Sequence, residues 1–356
     1  MMKHGIMDFA FLRKSGIKVP YSKSERMAPM IWQILDEYRR RSMVLNWWVS
    51  HPPDPINGVM ISDYFRLVFR RNPDKINEFE ESIHPASYFR LFRKMVERNN
   101  YRAILKQTGL ADFPALFYEK YPGGNIKRTV TLKNYPGFVQ QDDLIERASW
   151  YLYNKEKFDF FATYFRLPDI AQHSVTHLMD RQFKKKLISA FETNTVTQSM
   201  IDEAVLQVSD ILESVYRHME KIIKDYITHE RNRNTTFLIM SDHGFSFYPG
   251  GYNHYGLPDE YPAPDGILMV HGPGVKKGRI EKASIFDIAP TILYLLNHPV
   301  GQDMDGRPLK EVFQFQRQVK YKRYTLKKDP SQRRNRAYDE ETLRELESLG
   351  YISSEK

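Results

Sequence analysis

The stretch Thr235-Thr236-Phe237-Leu238-Ile239-Met240-Ser241-Asp242-His243-Gly244 decides the reading of this chain. The β-branched and apolar run from Thr235 to Met240 predicts a strand. A carboxylate and an imidazole then emerge side by side at its carboxyl end, where open α/β sheets place their ligands. Gly244 predicts a sharp backbone turn beneath them. A turn in which Asp242 caps and His243 faces solvent would give the same letters. An apolar strand ending in two adjacent metal-capable side chains favours the ligand reading.

Working outward, strand-like and helix-like segments alternate on both sides. Upstream, Met27 to Arg40 predicts a helix, with Met30, Ile31, Ile34, Leu35 and Tyr38 at helical spacing. Met43 to Val49 reads as a buried strand closed by His51-Pro52-Pro53. A helix at Leu144 to Asn154 leads into a strand at Phe158 to Phe165. A long amphipathic helix follows from Thr197 to Ile227, its stripe marked by Ile201, Val205, Val208, Leu212, Val215, Met219, Ile222 and Ile223. Downstream come a strand at Gly266 to Val270 and a helix at Asp287 to Leu296. This alternation predicts an α/β domain. The polar, mostly helical stretch after Asp74, anchored by Phe79, Ile83, Tyr88, Leu91, Phe92 and Met95, reads as an insertion over the main sheet. It is broken by the loop Tyr121-Pro122-Gly123-Gly124-Asn125. The expected organisation is therefore an N-terminal part of the core over 1–73, an insertion over 74–143, a metal-binding core over 144–313 and a basic tail over 314–356. A short helix at Glu340 to Leu349, stopped by Gly350, closes the tail.

The 356 residues, 41% of them hydrophobic, suffice for one large α/β domain or a domain with an insertion. No apolar run reaches the roughly 18 to 20 residues that cross a bilayer. The chain has no cysteine, so a metal site must draw on His, Asp, Glu, Ser or Thr. The net charge of +9 has a local origin: between Arg317 and Arg336 stand nine basic residues against one acid, Asp329. A concentrated stretch of this kind reads as a solvated surface, and nucleic acid is not expected as a specific partner.

A second pair stands behind the strand ending at Phe165. Asp169 and His173 are four residues apart, close to one helical turn, so both can face one side and share a cation. In isolation that spacing is common, and an N-capping Asp beside an unrelated His would explain it. Together with Asp242 and His243 it gives two carboxylates and two imidazoles behind two core strands, a donor set suited to one or two divalent ions. Such ions activate a nucleophile and neutralise a phosphoryl or sulfuryl group in transfer.

Tyr164-Phe165-Arg166-Leu167-Pro168-Asp169 with His173, and Ser241-Asp242-His243-Gly244-Phe245, resemble the metal-binding motifs of the alkaline phosphatase superfamily. Pro264-Asp265-Gly266-Ile267-Leu268 with Gly272-Pro273-Gly274, Phe286-Asp287-Ile288-Ala289-Pro290-Thr291-Ile292-Leu293, Asp303-Met304-Asp305-Gly306-Arg307-Pro308-Leu309 and Leu346-Glu347-Ser348-Leu349-Gly350-Tyr351 agree. Trp32, Asn46-Trp47-Trp48, Pro55-Ile56-Asn57-Gly58 and Ser62-Asp63 are similar to the type I phosphodiesterase / nucleotide pyrophosphatase branch. The resemblance covers most of the chain and is weakest over 74–143.

The resemblance implies a mostly parallel sheet flanked by helices, with a helical cap insertion. It implies that Asp169 and His173 bind one metal and Asp242 and His243 another, zinc or alternatively manganese. His254, in a glycine-flanked loop, is the candidate third ligand of the first ion, against the alternative of a surface-loop histidine. His271 and His298 are expected to be structural, and His177 to lie on a polar helix face. In the family, a further Asp ligand and a Thr or Ser nucleophile precede a stretch like Lys3-His4-Gly5-Ile6-Met7-Asp8-Phe9, so both are expected upstream of Met1, and this chain alone is expected to be inactive. The implied activity is hydrolysis of a small-molecule phosphate ester, as a phosphodiesterase or nucleotide pyrophosphatase. A sulfatase-like hydrolase and a non-catalytic relative that binds metal or a phosphorylated ligand are the alternatives.

Overall fold

The computed structural model describes residues 10–12, 18–70, 73–97, 103, 106, 130–175, 179–248, 251–253, 264–327, 339–340, 342–344 and 346. The loop 121–125, His177, His254, most of the closing helix and the stretch 3–9 lie outside the described residues. Strands are β1 Ala10–Leu12, β2 Lys18–Pro20, β3 Ser42–Leu45, β4 Gly58–Ile61, β5 Ile83–His84, β6 Phe160–Thr163, β7 Phe237–Met240, β8 Ser246–Tyr248, β9 Gly251–Asn253, β10 Leu268–His271, β11 Val300–Gly301 and β12 Tyr321–Lys322. Helices are α1 Ile31–Glu37, α2 Phe89–Glu97, α3 Val130–Lys155, α4 Leu167–Val175, α5 Arg181–Glu192, α6 Gln198–Leu206, α7 Ser209–Thr228 and α8 Ile288–Leu295. The chain divides into two units, Met1–Lys184 with Asp202–Val215 and Leu326–Lys356, and Lys185–Ile201 with Tyr216–Thr325.

The first unit is built on a four-stranded sheet of order β5-β4-β3-β6. β3 runs parallel to both β4 and β6, with Ser42 opposite Gly58 and Phe160, while β5 joins the edge antiparallel. A parallel sheet is covered on both faces, so its strands read as continuous apolar runs. Alternation along the strand sends Met43, Leu45, Val59 and Ile61 to one face, where Leu144, Ile145, Ala148 and Leu152 of α3 meet Phe65, Phe79, Phe89 and Phe92. Val44 and Met60 point the other way and pack with Trp32 and Ile56. Helices on both faces of a mostly parallel sheet make this the expected α/β architecture. Residues of the stretch after Asp74 enter this sheet and core directly, through Ile83–His84, Ile76, Phe79 and Phe92. Gly58 is required at its register: with φ of 148°, a Cβ there would stand 1.8 Å from the Ser42 carbonyl oxygen.

Several elements are shorter than the sequence predicts, for identifiable reasons. Helix α1 starts at Ile31 because Met30 is extended, its N–H donating to the Gln33 side chain at 2.9 Å as the chain enters the helix. β3 stops at Leu45 because Asn46 turns into the left-handed region at φ 59°, as does Val49 at φ 58°. The long helix expected over 197–227 is two helices, α6 and α7, separated at Gln207 and Val208. The break throws Val205 and Leu206 into solvent while Val208 and Val215 stay buried.

In the second unit β7 pairs antiparallel with β10, with Met240 opposite Leu268. Leu268 and Val270 of β10 pack toward Tyr294, Leu309, Val312 and Phe313, whereas Met269 is half exposed. The Asp287 carboxylate accepts from the backbone of Ser284 and of Arg307, at 2.9 and 2.7 Å, and so ties the start of α8 to the following loop. Among the described residues no helix is long and apolar enough to cross a membrane.

Candidate metal centre

In the first unit, the three parallel strands deliver their carboxyl ends to one place. Asn46 follows β3, Ser62 and Asp63 follow β4, and Tyr164 to Arg166 follow β6 before α4 begins. The Asn46 side-chain amide donates to the Tyr164 carbonyl at 3.0 Å, and the Trp48 indole donates to the Tyr164 hydroxyl at 3.3 Å. Two buried guanidiniums lie over the Trp48 ring, Arg66 at 4.5 Å and Arg166 at 4.9 Å from its centroid. Asp63 accepts from the Val49 backbone at 3.1 Å and the Ser50 hydroxyl at 3.2 Å, which fixes the strained turn between them.

His51 belongs to this network but is sealed off. It is buried against Tyr64, with ring centroids 4.6 Å apart, and its Nδ1 lies 3.3 Å from the Ser62 hydroxyl. Burial, reinforced by the Lys23 charge, pushes its pKa from 6.5 down to about 3. The folded protein therefore holds His51 neutral where the unfolded chain protonates it. Its contribution is complete above pH 6.5 and is lost as pH falls from there toward 3. At about 1.4 kcal/mol per pH unit, the full effect is on the order of 3–5 kcal/mol. Urea midpoints measured from pH 7 to pH 4 should fall steadily for the wild type and less steeply for His51→Gln. Parallel profiles would show that another group governs the acid response.

Asp169 and His173 lie on α4, directly behind β6. Asp169 is third in that helix, past the capping position. The carboxylate that caps this terminus is Asp142 of α3, whose Oδ2 accepts from the backbone N–H of Arg166 at 2.8 Å and of Leu167 at 2.6 Å. Asp169 Oδ1 and His173 Nε2 face each other at 3.4 Å, with side chains 17% and 10% exposed. A carboxylate and an imidazole on one helical face, near the surface but largely shielded, is a fitting pair of donors for a first-row divalent ion.

Asp242 and His243 follow β7 in the second unit. Here the Asp242 Oδ1 to His243 Nε2 distance is 3.6 Å, and both side chains reach solvent more freely. His243 is held by its Nδ1, 3.0 Å from the Gly244 carbonyl oxygen, and by an edge contact with Phe245 at 5.4 Å. The glycine serves close approach, not the sharp turn expected: its N–H donates to the Pro264 carbonyl at 2.8 Å, and a Cβ would come within 2.9 Å of Asp265 oxygen. His271 ends β10. Each sequence-predicted pair is thus brought into register by its own unit. Among the described residues no group of three or more His, Asp or Glu side chains is assembled to hold an ion. Sequence reasoning missed Asp142 and the Trp48–Arg66–Arg166 stack, whose partners lie far away along the chain.

Residues 2–344 match the family described as type I phosphodiesterase / nucleotide pyrophosphatase. The chain belongs to that family. This is the branch of the alkaline phosphatase superfamily that the motifs resemble, and its members act on small-molecule phosphate esters and generally depend on divalent metals. A 2,3-bisphosphoglycerate-independent phosphoglycerate mutase from Bacteroides thetaiotaomicron is 23% identical over 154 residues, which cover 42% of this chain and 29% of the relative. The chain therefore spans less than a third of that protein's length. No solved structure matches it.

Proposed function

We propose that the chain is a metal-dependent hydrolase of phosphate esters, acting as a phosphodiesterase or nucleotide pyrophosphatase. The observation that carries this reading is the Asp169–His173 pair, facing at 3.4 Å on one turn of the helix that follows a parallel core strand. Asp169 with His173 would hold one divalent ion, zinc or manganese, and Asp242 with His243 a second. A bound ion would supply Lewis-acid stabilisation of the phosphoryl oxygens and lower the pKa of an attacking oxygen. The residues of the chain do the rest. The α4 turn aims both donors to the same side, Asp142 and Asn46 hold the backbone before that turn, and the buried guanidiniums keep Trp48 fixed beside it.

The likeness to a phosphomutase favours one further possibility: that the phosphoryl group is handed to a hydroxyl of an acceptor instead of to water. The two are separated by incubating the chain with a nitrophenyl phosphodiester, zinc or manganese, and a polyol acceptor, and identifying the phosphorylated product. Hydrolysis that depends on added metal supports the proposal and overturns the expectation that this chain alone is inactive. Turnover of a nitrophenyl sulfate in preference to the phosphodiester would overturn it.

A further inference from the structure

We propose that Asp142 is a positioning residue for the Asp169–His173 pair. The inference rests on the reading of that pair as metal ligands. Helix α4 has nine residues and begins at Leu167, so its first N–H groups lack intrahelical partners. The N–H of Leu167 and that of Arg166 just before the helix both donate to one carboxylate oxygen of Asp142, at 2.6 and 2.8 Å. Asp142 itself rides on α3, which is 26 residues long and anchored by the fully buried Phe138, Val139, Leu144, Ile145 and Ala148. The longest helix of the first unit thereby fixes the start of a short one. The opposite side of the same turn is held from β3, through Asn46 on the Tyr164 carbonyl and Trp48 on the Tyr164 hydroxyl.

Asp169 stands three residues beyond the capped N–H of Arg166, and His173 one turn further, so a rotation of α4 would move both donors together. The carboxylate also places negative charge at the positive end of the helix. Ordinary N-capping adds stability to a helix. The distinguishing feature here is that the cap comes from another helix, so it sets the rotation and height of α4 relative to the core as well as closing its end. Groups that orient metal ligands typically change affinity by about 10- to 100-fold when removed.

The test is calorimetric titration of the full chain with zinc and with manganese, for the wild type, Asp142→Ala, Asp142→Asn and Ile145→Ala. Ile145 is fully buried on the same helix, in the apolar cluster of the first unit, so its loss weakens α3 while the Asp142 carboxylate is kept. Amide hydrogen exchange of residues 166–170 in the metal-free proteins gives a second readout. Asp142→Ala should weaken one metal-binding event by about 10- to 100-fold and speed exchange at Arg166 and Leu167. Asp142→Asn retains an acceptor oxygen and should restore most of both. Ile145→Ala should lower the thermal midpoint and leave affinity unchanged. Equal affinity in wild type and Asp142→Ala would overturn the inference, as would equal weakening by Ile145→Ala. Failure of the asparagine variant to rescue would overturn it too. A wild-type chain that takes up no metal would sink the metal reading itself, and this inference with it.

Discussion

Replacing Asp169 or His173 by alanine is expected to cut metal-dependent phosphodiester turnover by about 10²- to 10⁴-fold, because an active-site ion contributes several kcal/mol and each 1.36 kcal/mol is a factor of ten. The two side chains sit at the rim of the first unit, 17% and 10% exposed, and neither belongs to its apolar core, so the fold should survive. Their separation of 3.4 Å means that one ion would contact both, and removing either should lower metal uptake along with turnover. Residues that act as one unit are not additive, so the double variant should be little worse than either single one. Matching substitutions at Asp242 and His243 should reduce the binding stoichiometry independently. The measurement is initial rate at saturating zinc or manganese, paired with metal content after dialysis. Single variants with activity within tenfold of wild type and full metal content would remove the pair from the site.

The core strands were legible in the sequence because a parallel strand buried on both faces must be apolar at every position. Met43, Val44 and Leu45 alternate between two covered faces, yet in the sequence they read as one unbroken run. The two Asp-His pairs were legible as pairs because each follows a strand within a few residues, so local order preserves the spatial relation. The missed features are tertiary ones. Nothing near Asp142 announces that its carboxylate will cap backbone groups 24 and 25 residues later. The two-residue strand Ile83–His84 is too short to show a period and exists because β4 offers it an edge. No glycine or proline marks the break between α6 and α7, and the apolar stripe runs across it without interruption. The burial of Val208 and Val215, against the exposure of Val205 and Leu206, shows that the stripe is redistributed by packing, which a helical projection cannot anticipate.

The same limit applies to Asp54, which sequence reading passed over and which should produce the largest loss of stability in the first unit. Its carboxylate is 2% exposed and collects four side chains from the segment before β3. Arg26 donates through both terminal nitrogens at 3.1 and 3.3 Å, Trp32 through its indole at 2.7 Å, and Gln33 at 3.1 Å. The Lys23 ammonium lies 2.7 Å away. Burial works to raise the pKa of Asp54, but the Arg26 and Lys23 charges, with the Lys23 and Trp32 hydrogen bonds, outweigh it and hold the group below 3.8. Asp54→Ala leaves the Arg26 guanidinium, itself 2% exposed, buried beside a second cation. Breaking a buried pair in this way costs about 3–5 kcal/mol, beyond the roughly 0.5–3 kcal/mol of most substitutions. Removing both members is different, since an apolar replacement of similar volume is often neutral. Arg26→Met with Asp54→Leu should therefore recover the part of the loss that comes from the unpaired Arg26 charge, while Lys23 and the Trp32 indole still lose the Asp54 carboxylate. The sign with pH follows from the lowered pKa: the stabilisation is present above pH 3.8 and fades as pH falls through the folded value, so the deficit of the alanine variant should narrow in acid. Urea unfolding at pH 7 and at a pH well below 3.8 measures both effects. A loss below about 1 kcal/mol at pH 7 would place this cluster among ordinary surface ion pairs, despite its burial.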